Sequence, residues 1–323
     1  MSKFLFVIVV AFSILACKQE KDTATTSSNN NSEQIAELEG IPLANLTNRA
    51  NVMYNGEELY TGKAYSFYEP GLKKELLSFQ NGIMNGKQVK WHRNGKISTE
   101  EEYTNGILNG EQKTFYDTGE LKQTREYQDG RETGVRKEYY SNGTLKSEIT
   151  GNINGKKTEW YISSKKKVEE FYKNGALDSL RVEWYENGQT QSEANYINGK
   201  IDGIYKEWFP DGKQKLETPY KNGIIDGTLI EWHPNGIKAK EVIIVDGKME
   251  GLYKELHTNG SKKMEINYVH GRKEGKETYW HDNGMVQSET QYANGIQRGV
   301  SMQWDRNGRQ QLGGGKNKGK KNK

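Results

Sequence analysis

The sequence predicts an all-β fold: an extended antiparallel β-hairpin repeat array, a single twisted or curved sheet of about eleven 24-residue units. Composition is the first observation behind this prediction. Hydrophobic residues make up 33% of the 323 residues, too few for one thick core, whereas 7 Trp, 19 Tyr and 8 Phe are too many for an unfolded, solvated chain. The spacing of glycines and the recurrence of Asn-Gly turns are the second and third observations.

Glycines recur with spacings of 9, 11 and 4 residues, which sum to a 24-residue period. Of the 36 glycines, 30 fall on these three positions, and all seven Trp lie five residues after the start of a unit. Such a fixed period indicates a repeat protein, in which each unit contacts its neighbours. The units begin at residues 62, 86, 110, 134, 155, 179, 203, 227, 251, 275 and 299.

Each unit has the pattern of a β-hairpin. A first strand ends in an aromatic pair such as Trp208-Phe209, and Asn-Gly or Asp-Gly follows two residues later. We expect a two-residue type I′ turn there, because Asn and Gly tolerate the positive φ that both central residues need. Such a loop would place Lys206 opposite Glu217 and Lys254 opposite Glu265 on adjacent strands. The turn glycines are expected at Gly95, Gly143, Gly188, Gly212, Gly236, Gly260 and Gly284.

The second strand of each unit runs to an aromatic residue, usually Tyr, before another Asn-Gly and a four-residue link to the next unit. Both turns are short, so all neighbouring strands are expected to be antiparallel. Residues 143–179 are the exception to the period. The unit from Gly134 is three residues short, and serines replace the expected glycines at Ser164 and Ser179. We expect any kink or specialised site to lie in this irregular middle.

The N-terminus has the pattern of an export signal. Residues 4–16 form an apolar run of 13 residues, too short to span a bilayer comfortably, and Ile14-Leu15-Ala16-Cys17 resembles the lipobox of bacterial lipoproteins. The resemblance implies a signal peptide over 1–16 and lipidation of Cys17; the alternative is an ordinary signal peptide with an incidental Cys. We expect a flexible tether over 17–34, an N-terminal cap over 35–61, and a lipid-anchored protein of the bacterial envelope, at the outer membrane and either periplasmic or surface-exposed.

Over residues 62–312 the repeat itself resembles a known family. The pattern Gly-x4-Trp-Tyr/His-x-Asn-Gly followed by Tyr-x-Asn-Gly-x3-Gly is similar to the MORN repeat (membrane occupation and recognition nexus), in the variant seen in bacterial lipoproteins and the YwqK-like antitoxin family. The resemblance implies an antiparallel hairpin array that mediates protein contacts, self-association or lipid contact, without shared catalytic residues. The Asn-Gly turn stands in place of the usual Gly-x-Gly-x-Tyr opening, so we do not carry lipid binding over.

The repeated polar residues do not point to a catalytic or metal-binding site. His233, His257 and His281 lie 24 residues apart, on alternate strands roughly 9–10 Å from one another, too far to share one zinc ion. Glutamates also repeat, in one row at 193, 217, 241, 265 and 289 and another at 183, 207, 231 and 255, so no carboxylate pair has distinctive surroundings. We therefore predict no enzyme, no metal, no cofactor and no small-molecule substrate.

Charge argues against nucleic-acid binding by the array. The net charge is +4, but five of the positive residues lie in the last eight, in a basic tail over 313–323 that we expect to be disordered. Without that tail and the N-terminal segment, the chain is close to neutral and has no basic field.

The function we predict is a membrane-anchored, non-enzymatic binding scaffold that recognises a protein or a surface polymer through a repetitive aromatic surface. Two alternatives stay open: an antitoxin or immunity protein that neutralises a toxin, and a glycan-binding surface lipoprotein. The partner is an unknown protein or envelope polymer, with the membrane contacted through the lipid anchor. The candidate binding residues are Trp91, Trp160, Trp184, Trp208, Trp232, Trp280, Trp304, Tyr196, Tyr220, Tyr268 and Tyr292.

Overall fold

A computed structural model describes residues 39–151 and 153–311. The expected signal peptide, Cys17, the tether and the basic tail lie outside these residues. Before the array there are four short strands and one turn of 3-10 helix at Leu43–Asn45. The four strands are β1 (Ile41–Pro42), β2 (Thr47–Arg49), β3 (Val52–Asn55) and β4 (Glu58–Leu59).

Eleven β-hairpins follow, and each begins at a predicted unit start or a few residues before it. Their strands are β5 (Gly62–Glu69), β6 (Leu72–Gln80), β7 (Ile83–Met84), β8 (Gly86–Trp91), β9 (Ile97–Thr104), β10 (Ile107–Leu108), β11 (Gly110–Phe115), β12 (Leu121–Gln128), β13 (Arg131–Tyr139), β14 (Leu145–Thr150), β15 (Gly155–Trp160), β16 (Lys166–Lys173), β17 (Ala176–Leu177), β18 (Ser179–Trp184), β19 (Thr190–Ile197), β20 (Lys200–Ile201), β21 (Gly203–Trp208), β22 (Gln214–Lys221), β23 (Ile224–Ile225), β24 (Gly227–Trp232), β25 (Lys238–Val245), β26 (Lys248–Leu256), β27 (Lys262–Val269), β28 (Arg272–Trp280), β29 (Val286–Ala293), β30 (Ile296–Trp304) and β31 (Gln310–Gln311).

The predicted all-β repeat array is confirmed. One 28-stranded sheet contains β1 and the whole array, and it does not close on itself. Strands within the array pair antiparallel with their neighbours in the chain, as expected. The exception lies outside the array, where β1 runs parallel to β5, and β2, β3 and β4 form a separate small sheet.

The first turn of each unit is not the predicted two-residue type I′ turn. In the unit from Gly86, the Gly95 N–H donates to the His92 carbonyl and the His92 N–H donates to the Lys96 carbonyl, so the loop has three residues. Gly95 has a φ of +82°, whereas Asn94 is absent from the residues with positive φ. This is a type I turn that ends in a left-handed glycine. The seven predicted turn glycines all occupy this left-handed position.

The type I′ turn occurs at the second Asn-Gly instead. Asn105 and Gly106 both have positive φ, +51° and +80°, and Thr104 pairs directly with Ile107 across the two-residue loop. Both kinds of turn use the same dipeptide, because asparagine and glycine suit either conformation.

The expected strand register is nevertheless correct. Lys206 lies opposite Glu217, and Lys254 lies opposite Glu265. The loop has one residue more than expected, Pro210. A β-bulge on the return strand compensates for it, because no residue of β21 lies directly opposite Lys215. The ion pair of Lys206 is made to the preceding strand, with its Nζ 3.7 Å from Glu193.

Side chains alternate between two faces of the sheet, which we name after their aromatic rows. The Trp face carries the Trp row, and the Tyr face carries the unit-opening glycines and the Tyr of the return strands, as in the pair Gly203–Tyr220. Most buried residues lie on the Tyr face, among them Val242, Met264 and Ile266. The sheet therefore has one packed face and one more open face.

Residues 143–179, the irregular middle, form hairpins like the rest of the array, but serine replaces glycine at two positions with positive φ. Ser164 and Ser179 have φ of +65° and +83°, the left-handed conformation that glycine adopts in the regular units. The short connection from Gly151 to Gly155 is tight, because a Cβ on Gly155 would lie 1.5 Å from the Thr150 carbonyl oxygen.

Candidate binding surface

The seven Trp form a row at the first-turn edge of the Trp face, and all are half-buried. Lysines of the preceding unit cover three of these rings: Lys73 lies 5.8 Å from the Trp91 ring centroid, and the corresponding lysines lie over Trp184 and Trp280 at 5.7 and 5.3 Å. Each such contact adds a cation–π attraction. Ammonium groups thus lie over three of the seven indole rings in the row.

In most units, the residue after the Trp position links its unit to the next, and Phe209 is an exception because it has no polar hydrogen on its ring. The Tyr185 hydroxyl donates to the Trp208 carbonyl at 2.8 Å, and His257 Nε2–H donates to the Trp280 carbonyl at 2.9 Å. Tyrosine and histidine can replace one another at this position because each offers a polar hydrogen at the end of a ring. The same bond is made by Tyr68, His92, Tyr116, Tyr140, Tyr161, His233 and His281. The histidines are thus occupied in packing between units.

First-turn asparagines make a second connection between units. Asn235 Nδ2 donates to the Thr258 carbonyl of the next turn at 2.5 Å, while its Oδ1 accepts from the Ile237 N–H at 3.1 Å. The side chain thereby holds its own turn and the following one. The same bridge to the next turn is made by Asn94, Asn187, Asn259 and Asn283.

Second turns stack in a third way. The Gly223 N–H donates to the Ile201 carbonyl of the preceding link at 2.8 Å, and the Asn222 N–H donates to Asp202 Oδ2 at 2.9 Å. Equivalent acceptors occur at Asn85, Asn154, Asp178, Glu250 and Glu274. Hydrogen bonds between neighbouring units therefore form along both edges of the sheet, at the first turns and at the second turns.

The Tyr row lies on the opposite face from the Trp row. Tyr196, Tyr220, Tyr268 and Tyr292 each oppose the first residue of their unit, which is five positions before the Trp position of the same strand, occupied by Leu256 in the unit of Tyr268. All four Tyr are half-buried, and Tyr220 and Tyr268 pack edgewise or tilted against Tyr205 and Tyr253. The predicted aromatic residues are thus divided between two faces and do not form one surface.

Several charged groups on the Tyr face pair with one another, although the buried Arg136 Nε has no hydrogen-bond partner among the described residues. Glu170 is 6% exposed and accepts hydrogen bonds from Tyr172 at 2.8 Å and Arg181 at 3.1 Å, with Lys157 Nζ at 3.2 Å. Burial raises the pKa of Glu170, but these donors outweigh it and hold that pKa below its ordinary value. Burial and a hydrogen bond to Glu207 raise the pKa of Tyr205. The Tyr face is a packed polar network.

The Trp face carries an exposed apolar band on its second-turn side. Its side chains lie on β16, β18, β21, β25 and β26 and are each exposed by about two fifths, from 36% for Phe171 to 46% for Ile204. A row of glutamates separates the band from the Trp row, and lysines pair with it, as in Lys156–Glu169 at 2.7 Å and Lys276–Glu289 at 2.7 Å. The band, which we call the apolar band, consists of Phe171, Leu180, Ile204, Ile243 and Leu252.

A shallow depression of about 660 Å³ opens in the irregular middle, at one end of this band. Phe171, Lys156 and Asn174 line it, together with Ser179, one of the two serines at glycine positions. The depression lies in residues 143–179, the stretch where the sequence analysis expected any specialised site to lie.

Sequence reasoning missed the inter-unit hydrogen bonds and the separation of the two aromatic rows. The signal for the first was the 24-residue recurrence of Tyr or His after the Trp position, a choice that retains a polar hydrogen. Across residues 39–151 and 153–311, no three His, Cys, Asp or Glu side chains cluster in a manner suited to a metal ion. The same stretch has no helix long and apolar enough to cross a bilayer.

The hairpins, their fixed period and their edge-to-edge bonds define a repeat scaffold. The family model of the MORN repeat variant matches seven of its segments, so the chain carries an array of MORN repeats. The matched residues are 84–105, 108–129, 132–152, 177–198, 201–222, 249–270 and 273–294. The units from 62, 155, 227 and 299 are outside these matches but form hairpins of the same kind.

No curated protein sequence matches the chain. Among solved structures, similar chains occur in the crystal structure of TcdB2–TccC3–Cdc42 and in the Photorhabdus luminescens Tc holotoxin pore, each at 11% identity and a TM-score of 0.19. The matches cover 72% and 77% of this chain but 14% of each toxin chain. At such TM-scores the similarity carries no argument about fold or function.

Proposed function

We propose that this protein is a membrane-anchored, non-enzymatic scaffold that binds a protein or a surface polymer through its Trp face. The observation that carries the proposal is the apolar band. Five aliphatic or aromatic side chains are partly exposed along one face, next to a regular row of paired charges. Apolar surface that a polar rim encloses is typical of interaction sites.

The Trp face suits this role better than the Tyr face. On the Tyr face, the polar groups bond to one another and the aliphatic side chains are largely buried, as with Val242 at 1% and Ile266 at 1% exposure. Lysines lie over several Trp rings, which leaves less indole surface for stacking on a sugar. The arrangement therefore favours a polypeptide or charged polymer over a neutral glycan.

The test is affinity purification of the full chain from cell envelopes, compared between two matched variants. Ile204→Lys places a charge in the apolar band, and Ile224→Lys places one on an isoleucine of similar exposure, 54%, at the second-turn edge away from the band. We expect partners that co-purify with the wild type to be lost from Ile204→Lys and retained by Ile224→Lys. Equal recovery with both variants would contradict binding through the band.

Membrane anchoring is a separate part of the proposal, since it depends on Cys17 and the lipobox-like segment. Cys17→Ala should move the protein from the membrane fraction to the soluble fraction, because the acylated residue is removed. Cys17→Ser is the matched control, since it removes the thiol and keeps the size of the side chain, and it should behave like Cys17→Ala. Unchanged membrane partition of both variants would refute the lipid anchor and leave the binding role of the Trp face intact.

A further inference from the structure

The unit from Gly134 lacks a side chain that the other units have on the Tyr face. In the preceding unit, the opening glycine Gly110 lies opposite the return-strand residue Tyr127. The unit from Gly134 is three residues short, and its return strand β14 ends at Thr150, opposite Val135. Every other unit from Gly62 to Gly275 has an aromatic or aliphatic residue opposite its start, namely Phe79, Tyr103, Tyr127, Tyr172, Tyr196, Tyr220, Ile244, Tyr268 or Tyr292. Within residues 39–151 and 153–311, no aromatic side chain takes this place beside Gly134.

A gap of about 110 Å³ occurs at this position of the Tyr face. It is lined by Gly134 and Gly151 and by the side chains of Glu132, Arg136 and Ile149. Gly134 is exposed, whereas the opening glycines of the units before and after it are half-buried. An apolar cavity of about 150 Å³ binds benzene, whereas one water needs only about 10–15 Å³, so the gap is close in size to a single aromatic ring.

Arg136, which lines the gap, has an unused hydrogen-bond donor. Its Nε is buried and has no partner among the described residues, and its Nη1 lies 3.7 Å from Glu132. Buried donors are normally paired, because an unpaired donor loses its hydrogen bonds to water without replacing them. The gap thus combines room for a ring with a donor that lacks an acceptor.

Other units show what a residue at the position of Arg136, two residues after the unit start, contacts when the ring is present. Tyr205 occupies this position in its unit, and its ring lies 6.5 Å from that of the return-strand Tyr220. A guanidinium also suits a phenol, since a hydrogen bond from Arg125 to the Tyr127 hydroxyl raises the pKa of Arg125 in the preceding unit. A tyrosine ring in the gap would therefore be a direct neighbour of Arg136.

We propose that the gap beside Arg136 binds one tyrosine side chain of a partner polypeptide, which takes the place of the missing ring. The ring would contact Gly134 and Ile149, and its hydroxyl oxygen would accept a hydrogen bond from Arg136 Nε. A polypeptide fits better than a free aromatic molecule, because one ring and one hydrogen bond give little affinity without further contacts. Tyrosine is also among the residues that most often anchor protein interfaces. The site lies on the Tyr face, so it goes beyond the proposed function and does not depend on the apolar band.

The probe is N-acetyl-tyrosine amide, and its binding to the full chain is measured by ligand-observed NMR titration. Insertion of Tyr-Gln-Asp between Thr150 and Gly151 restores the 24-residue period and supplies the ring from the chain's own return strand, so binding should be lost. Insertion of Ala-Gln-Asp restores the same length without the ring and should retain binding. Thermal unfolding shows that both variants are folded, and the variant with tyrosine should be the more stable of the two because its ring fills the gap.

Arg136→Met tests the hydrogen bond. Methionine keeps an unbranched side chain of similar length but removes the donor, so N-acetyl-tyrosine amide should bind about tenfold more weakly. N-acetyl-phenylalanine amide lacks the hydroxyl and should bind the wild type and Arg136→Met with affinities within about twofold of each other. Gln112→Met is the matched control, because Gln112 has the same position in the preceding unit, where Tyr127 is present, and the change should leave binding of both amides unaltered.

Four outcomes would overturn the proposal. The first is a lack of binding of N-acetyl-tyrosine amide to the wild type. The second and third are equal binding of this amide to the wild type and the variant with Tyr-Gln-Asp, or to the wild type and Arg136→Met. The last is a loss of binding in the variant with Ala-Gln-Asp, which would mean that strand length and not the ring closes the gap. Ile204→Lys changes the other face and should bind the amide like the wild type, so the two proposals fail independently.

Discussion

The two ends of the array are finished in different ways. At the N-terminal end, β1 pairs with β5, and a small apolar core of Tyr60, Ala64, Leu77 and Phe79 forms against the preceding residues. At the C-terminal end of the described residues, Val300 is 89% exposed, and the short strand β31 pairs with Gln303 and Trp304. A repeat array needs a cap wherever its last unit would otherwise expose its packing surface. At the N-terminal end, the chain builds such a cap from its own residues.

Between the ends, the array relies on a third arrangement. Its buried positions include Gln88, Ser192, Thr218 and Glu277, and hydrogen bonds at both edges connect each unit to the next. Both regions bury apolar side chains, and in the middle polar bonding adds to that burial. Substitutions of buried apolar residues and of hydrogen-bonded polar residues measure how much each contributes to the free energy of unfolding.

The largest effect is expected at the cap. Phe79→Ala removes a ring that is 6% exposed and packs edgewise against Tyr60 at 6.1 Å, so we expect a loss of about 3–5 kcal/mol in the free energy of unfolding. Val300→Ala is the matched change at the other end and should alter stability by less than about 0.5 kcal/mol. Urea denaturation followed by Trp fluorescence measures both. Similar losses at the two ends would mean that the C-terminal edge is already packed.

The second effect is electrostatic and lies in the middle. Glu170→Gln keeps the shape of the side chain but removes the charge that Arg181 and Lys157 approach, so we expect a loss of about 1.5–3 kcal/mol at neutral pH.

The pH dependence gives the control. The pKa of Glu170 is lowered in the folded protein, so its stabilising contribution is present above the ordinary value of 4.5 and is lost as the pH falls through the folded pKa. Thermal unfolding of wild type and Glu170→Gln between pH 7 and pH 3 should therefore converge in acid. A constant difference across that range would show that packing, and not charge, accounts for the loss.

The third effect concerns the bonds between units. Tyr185→Phe removes the hydroxyl that donates to the Trp208 carbonyl at 2.8 Å, with an expected loss of about 0.5–1.5 kcal/mol. Phe209 occupies the same position in the next unit and lacks a hydroxyl, so Phe209→Tyr is the reciprocal change and should stabilise by a similar amount. Chemical denaturation of both variants checks the pair. If neither changes stability, this row of bonds does not contribute to the cohesion of the middle.

The sequence was sufficient for much of this architecture because one period constrains every unit. Glycine and Trp spacing located the hairpins, and the Lys206–Glu217 register followed even though the loop is longer than expected, since the bulge at Lys215 compensates. Counting five residues from Gly203 to Trp208 would also have separated the Trp row from Tyr220. The first-turn conformation was not predictable from local propensity. The Asn94 side chain donates a hydrogen bond to the Asp117 carbonyl in the next unit. The Asn-Gly dipeptide alone does not reveal this contact, because it forms between units.

The smallest effect is expected where the middle departs from the repeat. Ser164 adopts a φ of +65° at the position that glycine fills in regular first turns. Glycine would relieve about 1 kcal/mol or more of left-handed strain but would cost roughly 0.5–1 kcal/mol through the added freedom of the unfolded chain.

We therefore expect Ser164→Gly to stabilise the protein by no more than about 0.5 kcal/mol, and Gly188→Ser, the same exchange in a regular turn, to destabilise it by a similar amount. Thermal unfolding of the two variants side by side measures this difference. A loss of stability in Ser164→Gly would mean that the serine side chain itself holds the turn. In that case the serines that replace glycine would stabilise the irregular middle, as the apolar core stabilises the cap. The irregular middle would then be a third region, distinct from both ends.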